Sequence, residues 1–173
     1  WSSDVCSSDL WEDVVGRKMY VTGGIGTAQY HDEGFGDPYL LPNDTAYTES
    51  CAAIAHLLWQ HRLALLEADA AYADVMELAL YNGLLSGISL AGDRFFYQNP
   101  LESRGGGRRR PWIGLSCCPT NLARVIPQVG RFAYAVADRA LLVNLFVSGR
   151  ATIPVPGAGE VVLDVTTDYP WEG

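Results

Sequence analysis

The sequence predicts a helical domain followed by the start of an all-β one. Residues 48–66 and 71–89 are two long stretches with apolar side chains at helical spacing. Near the other end, residues 141–147 and 160–166 are short apolar runs separated by turn residues, the pattern of strands. Apolar residues make up 49% of the 173, enough for a sizeable core and too many for global disorder. Helices first and strands last place the change of class near Asp138.

Each segment has its own reason. Residues 1–10, WSSDVCSSDL, have neither helical nor strand period and nearly repeat SSDV as SSDL. They lack the basic flank and apolar centre of a signal peptide. They are read as a non-native leader joined to an internal fragment of a longer protein, and are set aside. VTGGIG (21–26) is glycine-rich, but without GxGxxG spacing or a following Lys-Ser/Thr it is no phosphate loop. Gly34, Gly36, Pro38 and Pro42 break residues 29–42 into an irregular loop. Residues 48–66 are apolar all round, through Ala52, Ala53, Ile54, Leu57, Leu58, Trp59, Leu63 and Leu66, and should be buried. In 71–89, Tyr72, Val75, Met76, Ala79 and Leu84 recur about one turn apart, with Gly87 near the end. A turn at Ala91-Gly92-Asp93 leads to an extended 95–97 and a polar Gly/Arg loop at 102–110. Residues 119–136 read as a third helix, kinked at Pro127. The strands 141–147 and 160–166 follow, with Pro154 and Gly157 in their connection.

Charge excludes some partners. Lys and Arg number 12 against 20 Asp and Glu, giving −8 and a pI near 4.7. That argues against a nucleic acid or an anionic membrane surface. No run approaches 18 uninterrupted apolar residues, so no segment is expected to span a membrane.

The chemical signal is Cys117-Cys118-Pro119. An adjacent pair rarely closes a disulfide on itself, and two buried thiols would be the plain reading. Pro119 suits a first helical turn, so both sulfurs should sit at a helix N-terminus, where the dipole favours thiolate. Cys51 lies at another helix start, after Thr48-Glu49-Ser50. Three thiols at two helix starts suit a tetrahedral metal site, zinc prefers thiolate ligands, and the fourth ligand would be Glu49. On a regular helix Glu49 and Cys51 would diverge, so Glu49 must lie in the extended entry. Without the cysteines, Glu49 would read as a first-turn carboxylate facing the helix dipole. The spacing matches no zinc finger or ribbon. Glu33, in HDEGFG (31–36), is a loop acid that is either solvated or catalytic. Tyr97 reads as a core aromatic or a site residue, and His56 and His61 as core or cap residues.

Taken together, VTGGIG (21–26), EGFG (33–36), LPNDTAYTESC (41–51), ALYNG (79–83), FFYQNPL (95–101) and CCPTN (117–121) resemble glycoside hydrolase family 127, the β-L-arabinofuranosidases, with relatives in family 146. The resemblance runs from about Met19 to Gly173. It implies part of an (α/α)6 barrel over 11–138 and the start of a β-sandwich over 139–173. It also implies Zn2+ held by Glu49, Cys51, Cys117 and Cys118, Cys117 as nucleophile, Glu33 as acid/base and Tyr97 against the substrate, an arabinose-containing oligosaccharide or glycan. The family's substrate-binding histidines lie upstream, so the fragment alone is expected to be inactive. A different class of function uses the same residues: a non-catalytic helical domain with a structural zinc clamp made of one glutamate and three cysteines, which has no use for Glu33. Thiol redox chemistry fits less well, because the pair is not CxxC. Free thiols favour a reducing, cytoplasmic compartment, with export left open.

Overall fold

The computed structural model describes residues 3–29, 33–138 and 140–172. In chain order the elements are α1 (Ser3–Arg17), α2 (Ser50–Glu67), α3 (Ala70–Leu78), α4 (Cys117–Val125), β1 (Tyr134–Ala137), β2 (Ala140–Val143), β3 (Gly149–Val155) and β4 (Gly159–Val165). The helical region precedes small antiparallel strand pairs, in the predicted order.

α2 and α3 form the frame. Ala68 adopts a left-handed conformation (φ 53°) and its N–H bonds the Ala64 carbonyl, which ends α2. One residue later the Asp69 carboxylate accepts the Ala71 N–H at 2.8 Å and starts α3. This two-residue link folds α3 back against α2. Beyond Leu78 the winding loosens into a π-turn, Ala79–Leu84, then tightens into a 3-10 turn, Leu85–Gly87. The predicted helix 71–89 thus persists to Gly87 with changed geometry. The VTGGIG segment packs on that π-turn. Gly23 has φ 74°, and a Cβ there would lie 2.7 Å from Ala79 Cα, so its glycine serves close backbone approach.

Ala53, Ile54 and Leu57 of α2 meet Met76, Leu80, Leu84, Leu122 and Val125 in one buried cluster, which also takes in Phe132, Ala133 and Leu145. Burying a side chain such as Leu57 or Leu122 stabilises by roughly 1.5–3 kcal/mol. This shared core locks the start of α4 beside the start of α2. A second cluster joins α1 to the hairpin. Trp11 packs edge-on against Tyr72 and donates its indole N–H to Gln60 Oε1 at 2.7 Å.

Five readings need correction. Residues 1–10 lack a helical pattern, yet from Ser3 they continue the helix that holds Trp11 and Val14. α2 is not buried all round: Leu58, Leu65 and Leu66 are exposed, whereas Ile54 and Leu63 are buried. The third helix stops at Val125, because Pro127 has no N–H to continue it, and passes into a 3-10 turn, Ile126–Arg131. Residues 134–137 then form β1 and pair with β2, Tyr134 opposite Val143 and Ala137 opposite Ala140. Finally, Pro154 lies inside β3, opposite Glu160, rather than in a connection. A two-stranded sheet has free edges, where a missing N–H is tolerated. β3 and β4 otherwise alternate exposed and half-buried residues, as strands with one covered face do. Among the described residues no helix is long and apolar enough to cross a membrane.

Candidate functional site

The site forms where the first turns of α2 and α4 meet. Glu49 precedes α2 in extended conformation (φ −63°, ψ 140°), the entry that its spacing from Cys51 requires. Residues 96–99 hold it there from outside. Glu49 bridges Gln98 in antiparallel fashion, and the Ser50 N–H donates to the Tyr97 carbonyl at 2.9 Å. Ser50 Oγ donates to the Phe96 carbonyl at 2.9 Å. The Asn99 amide donates to the Thr48 carbonyl and to Ser50 Oγ, each at 3.0 Å. Thr48 itself has φ 26°, a strained value for a β-branched residue that costs about 1–3 kcal/mol. Gly87 completes the bracket: a Cβ there would lie 2.6 Å from Ser50 Oγ. At α4, Ser116 is the cap and Cys117 the first helical residue, and Pro119 takes a first-turn place where no N–H is needed.

Four donor atoms converge. Cys51 Sγ lies 3.4 Å from Cys118 Sγ, and Cys117 Sγ lies 3.9 Å from Cys118 Sγ. A Glu49 carboxylate oxygen is 3.7 Å from the Cys117 sulfur and 3.5 Å from that of Cys118. All four ligand atoms fall within 4.8 Å of one another. Tetrahedral coordination with metal–sulfur bonds of about 2.3 Å needs sulfurs roughly 3.5–4 Å apart. These residues could therefore hold a metal ion, and three thiolates with one carboxylate favour a borderline-soft cation.

The protonation balance points the same way. The Cys51 thiol is lowered to about 7 by its hydrogen bond with Cys118, helped by Asn121. Cys118 is pushed up, first by its hydrogen bond to Cys51 and then by burial. Burial pushes Cys117 up as well. Helix position alone predicts thiolates at 117 and 118. Burial and a neighbouring sulfur charge outweigh the dipole, and a cation would be needed to ionise all three. Metal affinity should accordingly rise with pH, since the metal displaces protons. Above pH 7, with Cys51 ionised and two thiols still protonated, the expected gain is roughly a hundredfold per pH unit, and it is steeper below pH 7. Competition against a chelator between about pH 6 and 8 measures this. A pH-independent affinity would show that the sulfurs are not the ligands.

Tyr97 joins the cluster from the bracing segment. Its phenol hydrogen-bonds Cys117, and burial followed by the bond to Tyr47 raises it, so it stays neutral. Its ring stacks on Tyr47, centroids 6.3 Å apart at 22°. Tyr47 is buried, and the charges of Glu49 and Glu33 add to burial in raising it. Glu33 is outside the four-residue cluster. It is exposed and lines a shallow depression with Gln29, Phe35, Leu40 and the buried Thr27, within electrostatic reach of Tyr47. Beside the bracing segment lies a cavity of about 870 Å³, lined in part by Thr48, Ser86, Phe96, Tyr97 and Asn99. Sequence reasoning misses Tyr47, Asn99 and Asn121, although Asn121 stands in CCPTN four residues after Cys117.

Residues 4–131 match the profile described as β-L-arabinofuranosidase, GH127 catalytic domain. The chain belongs to this family. The GH127 chain is 36% identical over 177 positions to the non-reducing end β-L-arabinofuranosidase of Bifidobacterium longum subsp. longum, which covers 95% of this chain and 26% of that protein. It superposes with a TM-score of 0.90 on a GH127 β-L-arabinofuranosidase from Geobacillus stearothermophilus T6. Identity there is 41%, over 99% of this chain and 29% of that one. Against a solved GH127 β-arabinofuranosidase the TM-score is 0.89 at 48% identity, over 93% of this chain and 25% of that one. The GH127 chain thus spans about a quarter of the length of these relatives.

Proposed function

We propose that the intact protein carrying this segment is a retaining glycoside hydrolase that releases L-arabinofuranose from β-L-arabinofuranosides in an arabinose-containing oligosaccharide or glycan. The observation that supports this is the meeting of Glu49, Cys51, Cys117 and Cys118 in a GH127 chain, with Tyr97 bonded to the sulfur of Cys117. In this reading residues 11–138 belong to an (α/α)6 barrel and 139–173 begin a β-sandwich. The four residues hold Zn2+, which supplies charge that keeps the thiols ionised at neutral pH.

The chain's own groups carry the steps. Cys117 Sγ attacks the anomeric carbon while the bond to the leaving oxygen breaks, and Glu33 gives that oxygen its proton. Tyr97 donates to Cys117 and orients the sulfur beside the sugar. Water then attacks the same carbon, Glu33 takes its proton, and the carbon–sulfur bond breaks to restore the thiolate. Two inversions amount to retention. Proton NMR of the first product from a β-L-arabinofuranoside should show the β-anomer before mutarotation. An initial α-anomer would mean direct attack by water and no role for Cys117 as nucleophile.

A second reading draws on the four donors all being protein side chains, the closed arrangement of structural zinc. In that case the segment is a non-catalytic clamp between α2 and α4. Glu33 would then be dispensable, and its substitution separates the two readings.

A further inference from the structure

The three sulfurs have different surroundings. Cys117 Sγ meets Glu49 and the Tyr97 phenol. Cys118 Sγ is fully buried and faces Glu49 and the Tyr97 carbonyl. Cys51 Sγ instead accepts a hydrogen bond from the Asn121 side-chain amide, Nδ2 to sulfur 3.2 Å. Asn121 lies on α4, three residues after Cys118 and four after Cys117, on the helix face they share. Its partner belongs to α2, so this bond crosses the seam between the two helices. Neighbouring Leu122 is fully buried in the common core and fixes the rotation of α4 that aims the amide.

We propose that Asn121 is a positioning residue whose N–H···S bond keeps Cys51 on the metal and leaves Cys117 as the sulfur that reacts. The proposal rests on the metal-site and nucleophile assignments above. An amide N–H directed at a thiolate stabilises its charge and occupies a lone pair, which lowers its nucleophilicity. It also fixes the orientation of the ligand, as groups hydrogen-bonded to metal ligands commonly do. Cys117 takes its hydrogen bond from the Tyr97 phenol instead, a group on the bracing segment and not on α4. One short side chain thereby sets Cys51 apart from the other two sulfurs as a fixed ligand.

The test uses the intact protein and two substitutions: Asn121→Leu, of similar size without a donor, and Asn121→Asp, nearly isosteric in case the leucine variant fails to fold. Co2+ is titrated against a chelator while its thiolate charge-transfer absorption is followed. Iodoacetamide labelling of the Co2+-loaded protein is mapped by peptide mass spectrometry. Both variants should bind Co2+ about 10–100-fold more weakly, and Cys51 should become labelled where the parent protein protects it. Parent affinity together with a protected Cys51 in the variants would overturn the proposal. So would weaker binding with labelling confined to Cys117, because the amide would then act on the site at large. If the parent protein shows no thiolate–cobalt absorption, the metal reading fails and the proposal falls with it, an outcome distinct from the other two.

Discussion

Replacing Cys117 with serine in the intact protein should lower kcat by about 10⁴-fold or more, the scale seen when a nucleophile is removed. Serine keeps the shape and the place at the start of α4, but its hydroxyl does not ionise at neutral pH and ligates a soft-leaning site poorly. Cys118→Ser is the informative comparison. Cys118 is buried, and its sulfur contacts are Cys51, Cys117, Glu49 and the Tyr97 carbonyl, so in the proposed mechanism its part is to hold metal. That variant should lose metal affinity and regain a share of turnover when zinc is saturating. Cys117→Ser should stay inactive at any zinc concentration. Kinetics over a zinc titration decide the matter. Equal losses and equal recovery would make the two cysteines ligands of one kind and remove the covalent step.

The meeting of Glu49 with the three cysteines is legible in the sequence because its parts are short-range. Two cysteines before a proline locate a helix start, and a Glu-x-Cys spacing that fails on a helix locates an extended entry. The structure has both, at Ser116–Cys117 and at Glu49. The charge state was not legible in the same way. A helix start can be seen in sequence, but the full burial of Cys118 depends on packing with residues far away in the chain. Asn121 and Tyr47 were hidden for the same reason. One acts on a sulfur 70 positions away and the other on a ring 50 positions away, and neither has a local signature.

The fold shows the same division. α2 and α3 carry strong periodicity over several turns, and their link holds a helix-starting aspartate. Residues 134–137, YAVA, suit a helix or a strand by local preference. Pairing with 140–143 decides for strand, and periodicity carries no information about pairing. Prolines misled at both ends of this region. Pro127 ends the α-helix instead of bending it, while Pro154 is accommodated in a strand with a free edge.

The Glu33→Gln variant should lose about 10²–10⁴-fold in turnover of natural substrates, the usual worth of general acid–base catalysis. The loss should depend on the leaving group. Glutamine cannot protonate the departing oxygen, but a nitrophenolate leaves without a proton, so attack by Cys117 on a nitrophenyl β-L-arabinofuranoside should remain fast. The second step needs a base to activate water and should stall. Intact-mass spectrometry should then find one added pentose, and peptide mapping should place it on Cys117. Azide attacks without a base, so adding it should restore turnover and release an arabinofuranosyl azide. The same addition should do nothing for Cys117→Ser, which has no glycosylated sulfur to release. The structure makes this a demanding test, because Glu33 lies on an exposed loop outside the Glu49–cysteine cluster and is coupled to it through Tyr47 and Tyr97. If the variant keeps parental activity, the acid/base is another residue and the clamp reading gains its discriminating result. If it loses activity, forms no adduct and ignores azide, Cys117 does not attack the sugar and serves only as a ligand.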